Sequence, residues 1–202
     1  MDRLSLTLVT LLAAAPALAA QSAPNACGLL NKAEIDQLIN RGKTVSGSGM
    51  PEAISLSGGK GSVCDYPGGA QVGIYVGPNS QSHIEWMLKG LKVTEQDKKP
   101  VSGIGDKAYL FYHTSKNPID HGAYLVITVG SYTVTAQIAA HVGEADFGYK
   151  SSYCKFPKDL TAEQKADCDK AMADKSEPPE SVGPAVQELG KVVAAKVRAG
   201  KF

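Results

Sequence analysis

Two histidines and an aspartate lie close together in one segment of this sequence. His113, Asp120 and His121 occupy a turn-rich stretch beside predicted β-strands, and His141 follows the end of a later strand. Imidazole and carboxylate groups bind zinc and carry general acid–base chemistry. A metal-dependent hydrolase built on these residues is one hypothesis, and solvated loop side chains are the other. The H-E-x-x-H spacing of a zinc peptidase is missing, which favours the second.

Aromatic side chains are concentrated in neighbouring predicted strands. Tyr109 and Tyr112 share a strand with Phe111, and Tyr124 and Tyr132 lie in the following hairpin. Alternation along a strand sends about half of such rings to each face, where most serve as core or cross-strand packing. Rings on an exposed face would hold an apolar or sugar-like ligand. The candidate ligand-binding residues are Tyr109, Tyr112, His113 and His121.

Motifs of the common enzyme classes are absent from the sequence. It contains neither G-x-S-x-G nor G-x-x-x-x-G-K-[ST]. The pair Gly103-x-Gly105 lacks the third glycine of a dinucleotide-binding loop and precedes a predicted strand rather than a helix. We therefore expect no catalytic residue of a known type and no cofactor, and a binding protein is favoured over an enzyme.

The charge balance argues against two classes of partner. Twenty-one Lys and Arg against 20 Asp and Glu give a net charge of +1. Affinity for nucleic acid and for anionic membrane surfaces comes mainly from clustered basic residues. Beyond the first twenty residues, no segment is apolar for long enough to span a bilayer. The expected partner is a small ligand or an envelope or secreted protein.

The first 19 residues have the layout of a cleavable export signal. Arg3 precedes an apolar stretch from Leu4 to Ala15, and small residues surround Ala19. A transmembrane anchor needs about 20 strongly apolar residues, and this stretch is shorter and rich in Ala, Ser and Thr. We expect cleavage after Ala19 and a periplasmic or secreted protein. Residues 20–202 are predicted to form a single domain.

All four cysteines follow the predicted signal. An even number of cysteines in an oxidising compartment indicates disulfides. The pairings Cys27 with Cys64 and Cys154 with Cys168 each close a local unit, and we favour them among the three possible. A zinc or redox site is the alternative, but the C-x-x-C spacing usual in such sites is missing.

Capping residues and apolar side chains at helical spacing indicate four helices. The capping-box pairs are Asn31 with Glu34, Ser82 with Glu85, and Thr161 with Gln164. The second of these helices is predicted to start near Ser80 or Ser82. These helices are predicted to end near Gly42, Lys92 and Lys175, and the last helix has Pro184 in its first turn. The last helix is predicted to bury Val182, Val186, Leu189, Val193 and Val197.

Short alternating runs predict the strands. These are 63–66 and 71–76 around a Pro-Gly-Gly turn, 107–112, and the hairpin 123–129 and 132–139 through Gly130-Ser131. Residues 43–62 are predicted to be a surface loop because little apolar burial offsets the entropy of ordering them, and 94–100 a linker. The sequence predicts an α+β fold, an antiparallel sheet packed against helices in the order α-β-β-α-β-β-β-α. A disulfide-tied excursion is expected at about 141–180.

Three motifs in order resemble a bacterial family. They are Cys27-Gly28-Leu29-Leu30-Asn31-Lys32-Ala33-Glu34, Val63-Cys64-Asp65-Tyr66 and Val101-Ser102-Gly103-Ile104-Gly105-Asp106-Lys107-Ala108-Tyr109. Together they resemble the secreted and lipoprotein domains of unknown function that are widespread in actinobacteria, over most of residues 26–140 and the final helix. The resemblance supports the Cys27–Cys64 pairing and implies no catalytic motif. This chain departs from the pattern by lacking a lipobox cysteine and by adding the excursion. The leading hypothesis is an exported, non-enzymatic binding module.

Overall fold

A computed structural model describes residues 24–39, 50–56, 59–66, 69–77, 79–115, 120–140, 160–173 and 177–202. The predicted signal at 1–19 and His141 lie outside these residues. The predicted Cys154–Cys168 bridge also lies outside what the structure describes, so it stays a prediction.

Seven strands of the described chain form one sheet. They are β1 (Met50–Leu56), β2 (Gly59–Tyr66), β3 (Ala70–Val76), β4 (Lys99–Val101), β5 (Lys107–His113), β6 (Gly122–Val129) and β7 (Tyr132–Ala139). Their spatial order is β1-β2-β3-β7-β6-β5-β4, and every neighbouring pair is antiparallel. The predicted β6–β7 hairpin is confirmed. Gly130 has a φ of 56° at the first central position of its turn, as in a type II′ turn.

Helices cover both faces of this sheet, which confirms the α+β fold. They are α1 (Lys32–Leu38), α2 (Ser80–Gly90), α3 (Ala162–Ala173) and α4 (Gly183–Arg198), with short 3-10 turns at Ala26–Gly28, Glu95–Asp97 and Pro179–Val182. Helix α4 packs on β6 and β7 from one side, and the apolar residues of α2 pack on the other side. The five residues predicted for the buried stripe of the last helix are all buried.

The amino-terminal segment is fastened to β2. A disulfide joins Cys27 to Cys64, as predicted, with a Cα–Cα distance of 5.1 Å. Beside it the Tyr66 hydroxyl donates to the Ala26 carbonyl at 2.7 Å, and the Ala26 N–H donates to Ser62 Oγ at 2.7 Å. Burial raises the pKa of Tyr66 well above its usual value, so the phenol keeps the proton that it donates. These contacts close the end of the core next to β2.

Two of the three predicted capping boxes are present. Asn31 and Glu34 exchange hydrogen bonds of 3.0 and 2.9 Å at the start of α1, and Thr161 and Gln164 do the same before α3. The Ser82–Glu85 box was wrong. Helix α2 begins at Ser80, the earlier of the two predicted starts, so the Glu85 carboxylate lies in mid-helix and accepts from Gln81.

Two predicted loops contain strands. The stretch 43–62 includes β1 and the first part of β2, and the linker 94–100 includes the start of β4. The sheet therefore has one more strand at each edge than predicted, β1 beside β2 and β4 beside β5. A strand added beside an existing strand satisfies its backbone N–H and C=O groups through the ladder, whatever its own side-chain pattern. Apolar burial does not include these backbone hydrogen bonds, so it predicted a loop where the sheet gains a strand.

Candidate functional site

Helix α2 covers part of one face of the sheet. Polar side chains occupy another part of the same face. The covered part is an apolar cluster made of sheet residues and of two helix residues. Its members are Val63, Tyr75, Phe111, Tyr124, Val126, Ile84 and Leu88. Alternation along each strand sends the intervening residues to the α4 side. The polar side chains of the α2 side therefore mark where that face can meet a ligand.

The rings of Tyr75, His83 and Trp86 form a column that runs from this cluster to the surface, which we call the aromatic column. The His83 ring lies 4.8 Å from the Tyr75 ring and 5.8 Å from the Trp86 ring, and Trp86 is 72% exposed. Two glycines, Gly61 and Gly73, make room at its base. A Cβ on Gly73 would lie 2.6 Å from the Tyr75 hydroxyl, so the phenol lies flat against the sheet. Burial lowers the pKa of His83, which favours a neutral imidazole in the column.

Four polar side chains form one cross-strand row beyond the apolar cluster. We call Asp65, Gln71, Gln137 and Tyr124 the polar row. Asp65 pairs with Gln71, Gln71 with Gln137, and Gln137 with Tyr124, so the row crosses β2, β3, β7 and β6 in register. The first three are half-buried and Tyr124 is buried except for a small part. Directly opposite residues in a sheet have side chains within contact distance.

Hydrogen bonds orient the polar row at both ends. Gln71 Nε2 donates to Asp65 Oδ1 at 2.7 Å, which fixes the amide and leaves its carbonyl oxygen as an acceptor. The Tyr124 hydroxyl donates to the Asp120 carbonyl at 3.1 Å and also bonds with the Gln137 side chain. Burial raises the pKa of Tyr124, the Asp120 charge adds to the rise and the Gln137 bond opposes it. The phenol is therefore a neutral donor.

His113 lies next to the Tyr124 end of the polar row. On β5, Phe111 is directly opposite Tyr124, and His113 is two residues further along the same face. Its ring meets the Tyr124 ring edge to face, with centroids 6.4 Å apart. Burial lowers the pKa of His113, His121 lowers it further, and the Asp120 charge opposes the change. A neutral imidazole beside a phenol and a carboxylate offers both a donor and an acceptor for hydrogen bonds.

The structure separates the two candidate tyrosines. Tyr109 lies on the α2 side, 6.4 Å from the Phe111 ring, and Lys98 Nζ lies 5.2 Å from the centre of its ring. Burial, with smaller effects of Glu95 and Glu85, raises the pKa of Tyr109 to about 12. Tyr112 points to the α4 side, beside Gly183. The four candidates Tyr109, Tyr112, His113 and His121 therefore do not share one surface.

His121 has a structural set of hydrogen bonds. Its Nδ1 accepts from the Ser115 N–H at 3.2 Å, and its Nε2 lies 2.8 Å from the Glu177 carbonyl oxygen. A metal ion would have to displace one of these backbone partners to reach a ring nitrogen. Among the residues described, no three His, Cys, Asp or Glu side chains are grouped closely enough to hold a metal ion.

The side chains of the polar row are neighbours because of the register in which their strands pair. The sequence carries no direct signal of that register. The alternation of 132–139 does place Gln137 on the polar face of its strand. Asp65 and Gln71 have no such individual mark, because the strands predicted around them, 63–66 and 71–76, are short. They become neighbours of Gln137 only when β3 pairs with β7, a contact between residues far apart in sequence. A pairing prediction for those strands would have found them.

Comparisons with protein-family models, with curated proteins and with solved structures find no match to this chain. In the part of the chain that the structure describes, no helix is long and apolar enough to cross a membrane.

Proposed function

We propose that this protein is an exported, non-enzymatic binding domain that holds a small polar ligand on the polar row. The observation that supports the proposal most strongly is the row itself, in which a carboxylate, two amides and a phenol lie in register across four strands. Such groups orient a ligand through hydrogen bonds, and the neighbouring His113 and Tyr124 rings supply apolar contact.

The proposed location is the periplasm or the extracellular space. The layout of residues 1–19 is that of an export signal, and the Cys27–Cys64 disulfide is of the kind that persists in oxidising compartments. We also propose that the chain is related to the actinobacterial secreted and lipoprotein domains that its motifs resemble. An envelope or secreted protein is the other class of partner, and a half-buried row of polar groups favours the small ligand.

A metal-dependent hydrolase is the less favoured function. It requires His113, Asp120 and His121 to present free ligand atoms to one metal ion. Both ring nitrogens of His121 are instead bonded to backbone groups of Ser115 and Glu177. Binding is consistent with the observed bonds, whereas metal ligation requires breaking one of them.

The test is enrichment of a small molecule by the intact protein. The purified protein is mixed with a small-molecule extract of its host's cell envelope, and the retained compounds are identified by ultrafiltration and mass spectrometry. The wild type is compared with Gln71→Leu/Gln137→Leu, which removes hydrogen-bonding groups at similar volume. Thr128→Val is the matched control, because Thr128 is exposed on the same face at the far end of β6.

We expect a compound that the wild type and Thr128→Val retain and that the double variant loses by about tenfold or more, as expected when several hydrogen bonds are lost. Retention of the same compounds by the double variant would overturn the assignment of the row. Retention of nothing by the wild type would overturn the small-ligand function.

A further inference from the structure

Asp65 supplies the one charged side chain of the polar row. It is half-buried, and its Oδ1 accepts from Gln71 Nε2 at 2.7 Å. In the part of the chain that the structure describes, this is the single hydrogen bond of the carboxylate, and no cation pairs with it. A charged group that loses part of its hydration is costly unless an opposite charge or several hydrogen bonds replace the water. One amide N–H replaces only part of that water.

A second hydrogen-bond acceptor lies beside this carboxylate. The Gln71 amide places its nitrogen on Asp65, and its Oε1 has no partner among the described residues. Asp65 Oδ2 and Gln71 Oε1 are therefore both available on a half-buried surface. Both atoms accept hydrogen bonds and neither donates. A ligand group that satisfies both must supply donors.

Positive charge on this face of the sheet is remote from Asp65. In β2, β3, β5, β6 and β7, the positions on the α2 side include one lysine, Lys107, and no arginine. By standard strand spacings, Lys107 lies about 13 Å along β5 from Phe111, which is in line with the polar row, and about 19 Å across the sheet from β2. Salt screens exposed charges over about 8 Å. The Asp120 charge, which acts on Tyr124, makes the other end of the row negative as well.

The hydrogen bond between Asp65 and Gln71 distinguishes two kinds of cation. A guanidinium binds a carboxylate best through two parallel hydrogen bonds, one to each oxygen. Oδ1 already accepts from Gln71, so a bidentate guanidinium would compete with that bond. An ammonium is a compact charge with three donors. It donates to Asp65 Oδ2 and Gln71 Oε1 without disturbing the bond between the two side chains.

We propose that Asp65 and Gln71 form an ammonium subsite, and that the ligand of the polar row is a small molecule with a primary amine. The identity of the natural ligand rests on the proposed function. The subsite itself is testable without that ligand, because a compact ammonium ion prefers it to an uncharged molecule of the same shape. Asp65 is then the residue that sets specificity, and the uncharged groups of the row contact the rest of the ligand.

The test uses two probes of similar size that differ in charge. Benzylamine is protonated at neutral pH, and benzyl alcohol is neutral. Each is titrated into the isotopically labelled protein, and NMR spectra record the backbone amides and the Gln71 side-chain amide. The variant is Asp65→Asn, in which the amide oxygen still accepts from Gln71 but carries no charge. Asp169→Asn is the matched control, because it removes the same charge from an exposed position on α3.

We expect benzylamine to shift the signals of residues 65 and 71 in the wild type and in Asp169→Asn. It should bind Asp65→Asn about tenfold more weakly, as the loss of a hydrogen bond to a charged group predicts. The wild type should also bind benzyl alcohol about tenfold more weakly than benzylamine, a comparison that does not depend on the folding of a variant. Equal binding of the two probes by the wild type, shifts centred elsewhere, or an unchanged affinity of Asp65→Asn for benzylamine would overturn the subsite.

Failure of the proposed function gives a different result. If the wild type retains nothing from the envelope extract but binds benzylamine at Asp65, the small-ligand function is wrong and the ammonium subsite stands. If the wild type retains a compound that has no amine, or one that Asp65→Asn retains equally well, the function stands and the proposed class of ligand is wrong.

Discussion

Gln71 lies directly opposite Asp65 in the β2–β3 pair, and its amide nitrogen donates to the Asp65 carboxylate at 2.7 Å. This bond fixes one end of the polar row, because the amide has lost its rotational freedom before a ligand arrives. Preorganised polar groups bind with a smaller entropic cost than mobile ones. The relationship is the reason that we place ligand recognition on the α2 side of the sheet.

The aromatic column gives a pH-dependent optical signal. Trp86 is the single tryptophan of the sequence, and its ring is stacked on His83. An imidazolium quenches indole fluorescence more strongly than a neutral imidazole, and burial lowers the pKa of His83 below its usual 6.5. We expect fluorescence to fall with a midpoint below pH 6.5, and not to fall in His83→Gln. A midpoint above 6.5 would contradict the burial of this ring.

The lowered pKa of His83 also predicts how the free energy of unfolding changes with pH. The unfolded chain binds a proton at His83 more readily than the folded chain, because burial lowers the pKa in the folded state. The contribution of neutral His83 is therefore complete above about pH 6.5 and is lost as the pH falls below it. In His83→Gln, the acid-induced decrease in the free energy of unfolding should be smaller than in the wild type.

Gly73 should not tolerate a side chain. A Cβ there would lie 2.6 Å from both the Tyr75 hydroxyl and Thr135 Oγ1. We expect Gly73→Ala to lower the free energy of unfolding by about 1–3 kcal/mol through overpacking. Gly90→Ala is the control, because no atom lies within 4 Å of a Cβ added at Gly90, near the end of α2. Urea unfolding of both variants decides the point, and equal effects would show that Tyr75 does not lie flat at this position.

The disulfide should contribute strongly to stability. Cys27 and Cys64 are separated by 37 positions. For a loop of this length, the chain-entropy model gives about 4 kcal/mol from restriction of the unfolded state. Cys27→Ala/Cys64→Ala should therefore unfold at much lower urea concentration than the oxidised wild type. A difference below about 1 kcal/mol would mean that the bonds from Tyr66 and Ser62 hold the amino-terminal segment without the disulfide.

The ion pair between Lys196 and Glu34 joins α4 to α1. Lys196 Nζ contacts the Glu34 carboxylate at 2.5 Å and the Leu29 carbonyl at 2.7 Å. Partial burial raises the pKa of Glu34, but bonds from Lys196 and the Asn31 N–H and the Lys196 charge outweigh it, so the pKa is lowered overall. A lowered carboxylate pKa stabilises the fold above the unfolded-state value and loses that effect as the pH falls.

Glu34→Gln should cost about 1 kcal/mol at neutral pH, because glutamine keeps the capping bond and loses the ion pair. The difference between Glu34→Gln and the wild type should begin to shrink as the pH falls below 4.5, where the unfolded chain takes up the proton, and should disappear below the lowered folded-state pKa, where the folded wild-type carboxyl also loses its charge. Urea titrations at neutral and acidic pH measure this difference. A difference that stays constant across the range would assign the effect to the capping box instead of the ion pair.

Local features of the fold were predictable from the sequence. The Asn31–Glu34 capping box and the Gly130-Ser131 turn involve residues within three positions of each other, so their spacing carries the signal. The stripe of α4 was predictable for the same reason, since one helix and the turn directly before it supply all its members. Strand β1 was not predicted because hydrogen bonds to β2 hold it in the sheet. Its own sequence pattern does not indicate a strand.

The candidate site was predictable only in part. His113 was identified from residue type, and the structure places it at one end of the polar row. Tyr112 was assigned together with Tyr109, but an odd spacing of three sends the two rings to opposite faces. His121 has a buried structural role because two distant backbone groups converge on its ring. Each of these outcomes depends on tertiary contacts that spacing alone does not contain.

The central claim is that a small polar ligand binds on the polar row. The most direct measurement is amide chemical-shift mapping of the isotopically labelled wild type, titrated with the compound that the enrichment experiment retains. We predict that the largest changes cluster at residues 65, 71, 124 and 137, and that α4 on the opposite face is unaffected. Changes that are centred on α4, or that are spread evenly over the sheet, would contradict the account.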